Sequence, residues 1–342
     1  MVKQTELFKS GQDGYHTFRI PSLLVTNKGT VLAFCEARKN GGGDAGDIDV
    51  VLRRSFDNGK TWEPFEIIAD DGTNTIGNPC PVQDRETGTI WLVLCRNAED
   101  GHEKDILAGK AAREVLVIKS DDDGATWSDL RDITADVKLP GWTWYAAGPC
   151  HAVQLKSGRL LVPCNHAVLN PETGGSGPYT AHVIYSDDHG ASWSIGGIVG
   201  EYTNECAAAE LPDGSVYINM RSYRGENKRA YAWSRDGGLT WSDIVLDDAL
   251  TEPVCQGSVL EDGLGGILFS NPASKAREKL TVQISTDGCR TWSVQQVLHD
   301  GPAAYSDLAL ADSGNTVLCL YECGEARPYE QIKLARFPKN LM

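Results

Sequence analysis

Five aspartates stand in one repeated context, Ser-x-Asp-x-Gly-x-Thr/Ser-Trp: Asp57, Asp122, Asp188, Asp236 and Asp287. Positioned carboxylates are what general acid–base chemistry needs, so these five look catalytic on paper. Their surroundings argue otherwise. Each copy follows a strand-like run and ends on Trp. An Asp-x-Gly centre is turn chemistry, because Asp accepts hydrogen bonds from nearby backbone N–H groups and Gly supplies positive φ. We read them as turn residues away from any functional mouth. A second acidic group lies in Gly41-Gly42-Gly43-Asp44-Ala45-Gly46-Asp47, with Asp49 close behind. Asp44, Asp47 and Asp49 are all candidates for a loop acid. The three glycines precede no helix pattern, so they are not a phosphate loop.

Metal chemistry finds no support. The seven His (16, 102, 151, 166, 182, 189, 299) show no ligand spacing, so no metal and no cofactor are expected. The ten Cys form no CxxC pair and mostly sit in apolar runs such as Leu160-Leu161-Val162-Pro163-Cys164. They read as buried, reduced thiols. The net charge of −15 argues against nucleic-acid partners and a basic membrane-docking face. It also predicts poor long-range steering of an anion, leaving capture to short-range contacts. Residues 1–20 carry no leader pattern, and no apolar run reaches the roughly 18 residues of a membrane span, which predicts a soluble chain.

The elements that must position any site follow from the repeat. Its copies run Ser55–Trp62, Ser120–Trp127, Ser186–Trp193, Ser234–Trp241 and Ser285–Trp292, with serine-to-serine steps of 65, 66, 48 and 51 residues. The fifth copy has Cys289 in the glycine position, so its turn is expected to be distorted or to use Gly288. Runs such as Val50-Val51-Leu52 and Val115-Leu116-Val117 precede the motif as strands, and Trp starts each return strand. One hairpin per 48 to 66 residues leaves room for about four strands per unit, the spacing of propeller blades. The fold class predicted is all-β, a six-bladed β-propeller of four-stranded antiparallel blades. The sixth unit, without the motif, is expected from segment 305–338 plus an N-terminal strand near Val2–Lys9. No linker divides the chain, so residues 1–342 read as one domain.

Phe18-Arg19-Ile20-Pro21 resembles the FRIP/YRIP motif of the bacterial-type, Asp-box sialidases (exo-α-sialidases, or neuraminidases), and the five boxes extend the resemblance over nearly the whole chain. Further segments are similar in order and spacing: Glu36-Ala37-Arg38 followed by Asp44, Gly77-Asn78-Pro79, Asn204-Glu205-Cys206, Asn219-Met220-Arg221, Cys255-Gln256-Gly257-Ser258, Arg277, Ala304-Tyr305-Ser306-Asp307 and Leu320-Tyr321-Glu322.

The resemblance implies a hydrolase that releases terminal sialic acid from sialylated glycans with retention. Arg19, Arg221 and Arg277 would bind the substrate carboxylate, which suits bidentate guanidinium geometry. Glu322 would hold Arg19. Tyr305 would be the nucleophile, Glu205 its base, and Asp44 the acid/base. A neutral phenol avoids the repulsion that a carboxylate nucleophile would meet from the substrate's own carboxylate, and the nearby arginines would favour phenolate. Arg38 resembles an arginine that holds the sugar ring near its C4 hydroxyl. Gly141-Trp142-Thr143-Trp144-Tyr145 offers either aromatic walls for an acyl pocket or core residues. Gly148-Pro149-Cys150-His151-Ala152 departs from the family's glycine-rich version; His151 there faces substrate or is structural. Two alternatives stay open. One is a glycosidase preferring a deaminated nonulosonic acid, or a transglycosylating relative. The other is a non-catalytic Asp-box propeller that binds glycans or proteins.

Overall fold

A computed structural model describes residues 1–170 and 172–341. The chain is all-β apart from short helical turns such as Glu103–Leu107 and Thr134–Val137. Among the described residues no helix is long and apolar enough to cross a membrane.

The strands do not separate into the six sheets expected. They form four open sheets, of seven, five, four and eight strands. The physical reason is continuity of pairing. In the eight-stranded sheet, two antiparallel groups (Thr17–Val25 to Glu66–Ala69, and Thr75–Gln83 to Arg131–Asp132) are joined by one parallel contact, Ile48 with Thr75. In the seven-stranded sheet, strand Ser293–Ala311 runs unbroken from one group to the next. Its first part pairs with Glu278–Ser285 and its second with Thr316–Cys323. The N-terminal strand near Val2–Lys9 is where the sequence places it: Lys3–Lys9 pairs antiparallel with Gln331–Pro338, so the two ends of the chain share a sheet.

The five boxes are turns, as their composition demands. At the first, Asp57 accepts hydrogen bonds from Lys60 N (2.9 Å), Thr61 N (2.8 Å), Thr61 Oγ1 (2.7 Å) and Ser55 Oγ (2.9 Å). Burial alone would raise this carboxyl, but the bonds from Thr61, Ser55 and Lys60 outweigh it and hold it at about 2. The fifth turn is not distorted. Gly288 (φ 73°) and Cys289 (φ 60°) repeat the paired positive φ of Asn58 and Gly59 (62° and 77°), so Cys289 itself adopts the left-handed conformation. Each box packs against an earlier sheet segment or, for the first box, against the last. Gly59 faces Leu334 and Leu318, Gly124 faces Leu32, Gly190 faces Trp91, Gly238 faces Leu161, and Gly288 faces Leu211. The apolar clusters between groups follow the same contacts, as where Leu318, Leu320 and Leu334 meet Leu23, Val31 and Cys35. All ten cysteines are buried and free of disulfides.

Candidate active site

Five strands are irregular where they reach one cavity. Thr17–Val25 shifts register between Arg19 and Ser22, Thr75–Gln83 between Gly77 and Cys80, and Trp142–Ala147 between Trp142 and Tyr145. Thr203–Glu210 shifts between Thr203 and Cys206, and Ser293–Ala311 between Ala303 and Ser306. A bulge bends a strand and re-aims the side chains it carries. Here the re-aimed residues include Arg19, Asn78, Trp144, Glu205 and Tyr305, and all five line one cavity of about 180 Å³. Ile20, also on its wall, sits at φ 59°, a strained conformation for a β-branched residue.

Tyr305 lies on the wall of this cavity. Its hydroxyl donates to Glu205 Oε1 at 2.6 Å and accepts from Arg221 Nη1 at 3.2 Å. Arg221 Nη1 also lies 2.8 Å from Glu205 Oε2. The guanidiniums of Arg19 and Arg277 stand 5.0 and 5.6 Å from the centre of the Tyr305 ring. Burial pushes the phenol well above its usual value and Glu205 adds to the rise; Arg221 and Arg19 pull the other way without winning. The arginines therefore do not produce a standing phenolate, and the phenol is neutral.

Glu322 is fully buried and binds Arg19 through both oxygens, at 2.9 and 3.2 Å. The same carboxylate accepts Ile20 N at 2.8 Å and Tyr305 N at 3.1 Å, so it fixes the first and last inner strands together. Below it lies a second hub. Asp307, fully buried, accepts Leu23 N (2.8 Å), His151 N (2.9 Å), His151 Nδ1 (2.7 Å) and Ser258 Oγ (2.7 Å). His151 is thus held by Asp307 and is not among the residues that line this cavity.

Of the three loop acids, only Asp44 lines the cavity. Asp47 pairs with Lys39 at 3.8 Å, and Asp49 accepts the Tyr15 hydroxyl at 2.5 Å. Asp44 Oδ1 lies 2.7 Å from Arg38 Nη1 and 3.9 Å from Arg19 Nη1. Burial favours its neutral form, but Arg38 and then Arg19 outweigh that and hold it below the usual carboxylate range. Arg38 is itself engaged on every side, by Glu36 at 2.9 and 2.6 Å, by the Gly42 and Gly43 carbonyls, and by Asp44.

Sequence reading missed several participants. Glu36 holds Arg38 and accepts Asn78 N at 2.8 Å. Its approach was signalled only by Gly77, where a Cβ would lie 2.3 Å from Glu36 Oε1. Arg113 donates to Asn78 Oδ1 at 2.6 Å and to the Tyr145 carbonyl at 2.5 Å, and lies 4.2 Å from the Trp144 ring centre. No motif flagged it. The aromatic run divides between its two readings: Trp144 lines the cavity, while Trp142 and Tyr145 belong to the core.

Repeated boxes, strand bulges and an arginine-ringed Tyr–Glu pair mark a BNR-repeat protein with a polar cavity. A family model for the BNR repeat-like domain matches residues 29–318. The sialidase of Bacteroides fragilis is 32% identical over 355 residues, taking in 95% of this chain and 63% of that protein. Sialidase-3 of Bos taurus is 32% identical over 384 residues, 94% of this chain and 89% of that one. Among solved structures, the Hadza microbial sialidase Hz136 superposes with a TM-score of 0.88 at 29% identity, covering 99% of this chain and 69% of that one. The chain belongs to the sialidase family. It spans less than two thirds of the Bacteroides relative's length.

Proposed function

We propose that this chain is a retaining exo-α-sialidase, and that residues 1–342 form a single catalytic domain. The observation that carries the reading is the 2.6 Å contact between Tyr305 and Glu205 inside the ring of Arg19, Arg221 and Arg277. A binding-only protein has no need of a buried phenol paired with a carboxylate. The three guanidiniums receive the sialic acid carboxylate and fix the anomeric carbon over Tyr305. Tyr305 attacks that carbon while its proton passes to Glu205. Asp44 gives a proton to the departing glycosidic oxygen. In the second step Asp44 takes a proton from water, water displaces the tyrosine oxygen, and Glu205 returns the proton to it. Two inversions give net retention. Arg38 anchors Asp44 and faces the ring hydroxyls, and Trp144 with Arg113 bounds the side of the pocket. The substrate class is sialylated glycans.

The architecture we propose beneath the site is a six-bladed propeller whose last blade is completed by Lys3–Lys9. Its support is the pairing of the two chain ends and the serial packing of each box on its neighbour.

The test is hydrolysis of a fluorogenic α-sialoside by the wild-type chain and by Tyr305→Phe, with NMR of the first-formed anomer. Release of the α-anomer by wild type and near-silence in the variant is the expected result. A folded wild type that releases nothing overturns the reading, and a full-rate Tyr305→Phe overturns the nucleophile.

A further inference from the structure

The three arginines are not supported alike. Arg19 has Glu322 and Arg221 has Glu205. Arg277 has no carboxylate partner among the described residues. Its Nη1 donates to the Tyr329 hydroxyl at 2.6 Å, and its Nη2 reaches only the Val254 carbonyl, at 3.4 Å. The same Tyr329 ring carries the Arg19 guanidinium, 4.2 Å from its centre. One side chain therefore touches two of the three cations, by its hydroxyl and by its face.

We propose that Tyr329 is the positioning residue that sets Arg277 and Arg19 at the spacing a substrate carboxylate requires. This inference rests on the sialidase reading of the site. The chemistry favours a phenol in this place. A carboxylate beside Arg277 would neutralise it and compete with the incoming anion. A phenol accepts the guanidinium N–H without adding charge, so Arg277 keeps its full attraction for substrate. The ring face contributes cation–π attraction to Arg19.

The loop that delivers Tyr329 is built to hold it still. Glu330 accepts the backbone N–H groups of Glu325 (2.9 Å), Ala326 (3.2 Å) and Arg327 (3.0 Å), closing the loop on itself. Gly324 is needed at its base, since a Cβ there would lie 2.1 Å from the Arg327 carbonyl. Ser10 then pins the loop from outside. Its Oγ donates to the Tyr329 carbonyl at 2.8 Å and its N to the Glu330 carbonyl at 3.0 Å. Ser10 follows directly on the strand Lys3–Lys9, so the joining of the chain ends also fixes the carboxylate site. Tyr329 also packs against Ile20, Cys255, Ala304 and Tyr305, which keeps its ring from turning away.

The experiment compares Tyr329→Phe and Tyr329→Ala with wild type on a fluorogenic α-sialoside. Tyr329→Phe loses the hydroxyl and keeps the ring, so KM should rise about tenfold with kcat within about twofold. Tyr329→Ala should raise KM further, because Arg19 also loses its platform. A Tyr329→Phe protein with unchanged KM overturns the inference, as does one that loses kcat alone. A crystal structure of Tyr329→Phe reads the same point without substrate. Displacement of the Arg277 guanidinium is expected there. An unmoved Arg277 overturns the positioning role whether or not the chain proves to be a sialidase.

Discussion

The Asp44 carboxylate lies 2.7 Å from the Arg38 guanidinium, with 59% of its side chain still open to solvent. An acid so placed is ionised before substrate arrives, because Arg38 and Arg19 override the opposing effect of burial. In the proposed reaction Asp44 must first gain a proton before it donates one, and a substrate carboxylate that draws Arg19 away would weaken the hold on its ionised form. The proton matters most where the leaving group is poor. Asp44→Asn should cut kcat/KM on a sialyl-sugar linkage by about 10²–10⁴-fold, and on an activated aryl sialoside far less. Equal losses on both substrates would remove Asp44 from the proton transfer.

Glu205 has two oxygens and two duties, one to the Tyr305 hydroxyl and one to Arg221. Glu205→Gln keeps an acceptor for Arg221 but cannot take the phenol proton. Burial already holds that phenol well above its usual value, so without the carboxylate it stays neutral. The expected loss is about 10²–10⁴-fold in kcat, with KM changed only a few-fold. Steady-state kinetics at several pH values checks it, and a wild-type kcat in the variant would contradict the assignment.

These predictions rest on residues of unequal legibility. The boxes were readable because their hydrogen bonds are local: Asp57 reaches only as far as Thr61. The pairing of Lys3–Lys9 with the C-terminal strand was readable because the box count left one unit incomplete. Arg19, Asp44, Glu205, Arg221, Arg277, Tyr305 and Glu322 came from motif resemblance, and Arg19 and Glu322 meet across 303 positions of sequence. Tyr329, Arg113 and Asp307's role as a hub were not readable. Arg113 and Asp307 contact residues far away in sequence, and Tyr329 is delivered by a loop closed through Glu330, so no local pattern announces any of the three. Cys289 was misjudged for a simpler reason. Glycine eases a left-handed turn, but a cysteine held by Ser285 Oγ on its N–H, at 2.9 Å, also adopts it.

That tolerance does not extend to the third box. Gly190 has φ 87°, and a Cβ there would lie 2.1 Å from Trp91 Cε2. Trp91 has little room to withdraw, because its Nε1 donates to the His189 carbonyl at 2.9 Å and its ring meets Trp193 at 6.2 Å. Gly190→Ala should therefore destabilise by about 2–4 kcal/mol, combining left-handed strain with overpacking. Cys289→Gly, where strain relief and the loss of a buried thiol oppose each other, should change stability by less than about 1 kcal/mol. Urea unfolding of both variants checks the contrast, and similar small shifts in the two would refute it.

A buried histidine pair sets the last expectation. His166 Nδ1 and His182 Nδ1 are 3.0 Å apart, so one must donate and the other accept, which requires one of those nitrogens to be bare. His166 is stacked on Trp142 at 3.5 Å, with no room for water between them. Burial, then Lys138, pushes His166 down to about 3; burial, then His166, pushes His182 well below its usual value. Both folded values lie below the unfolded one of about 6.5, so their stability is present above that pH and is lost as pH falls beneath it. His151 behaves oppositely. Burial lowers it but Asp307 raises it further, so its contribution is complete below about 6.5 and fades only at higher pH. Between pH about 6.5 and 5 the His166–His182 pair supplies the loss of stability, against Asp49 and Asp247, which burial raises and which act in the opposite sense. The pair's contribution should approach about 2.7 kcal/mol per pH unit once both unfolded histidines are protonated. Denaturant midpoints of wild type and of His166→Phe/His182→Leu across this range test it: the wild type should weaken and the double variant should not, whereas parallel curves would place the protons elsewhere.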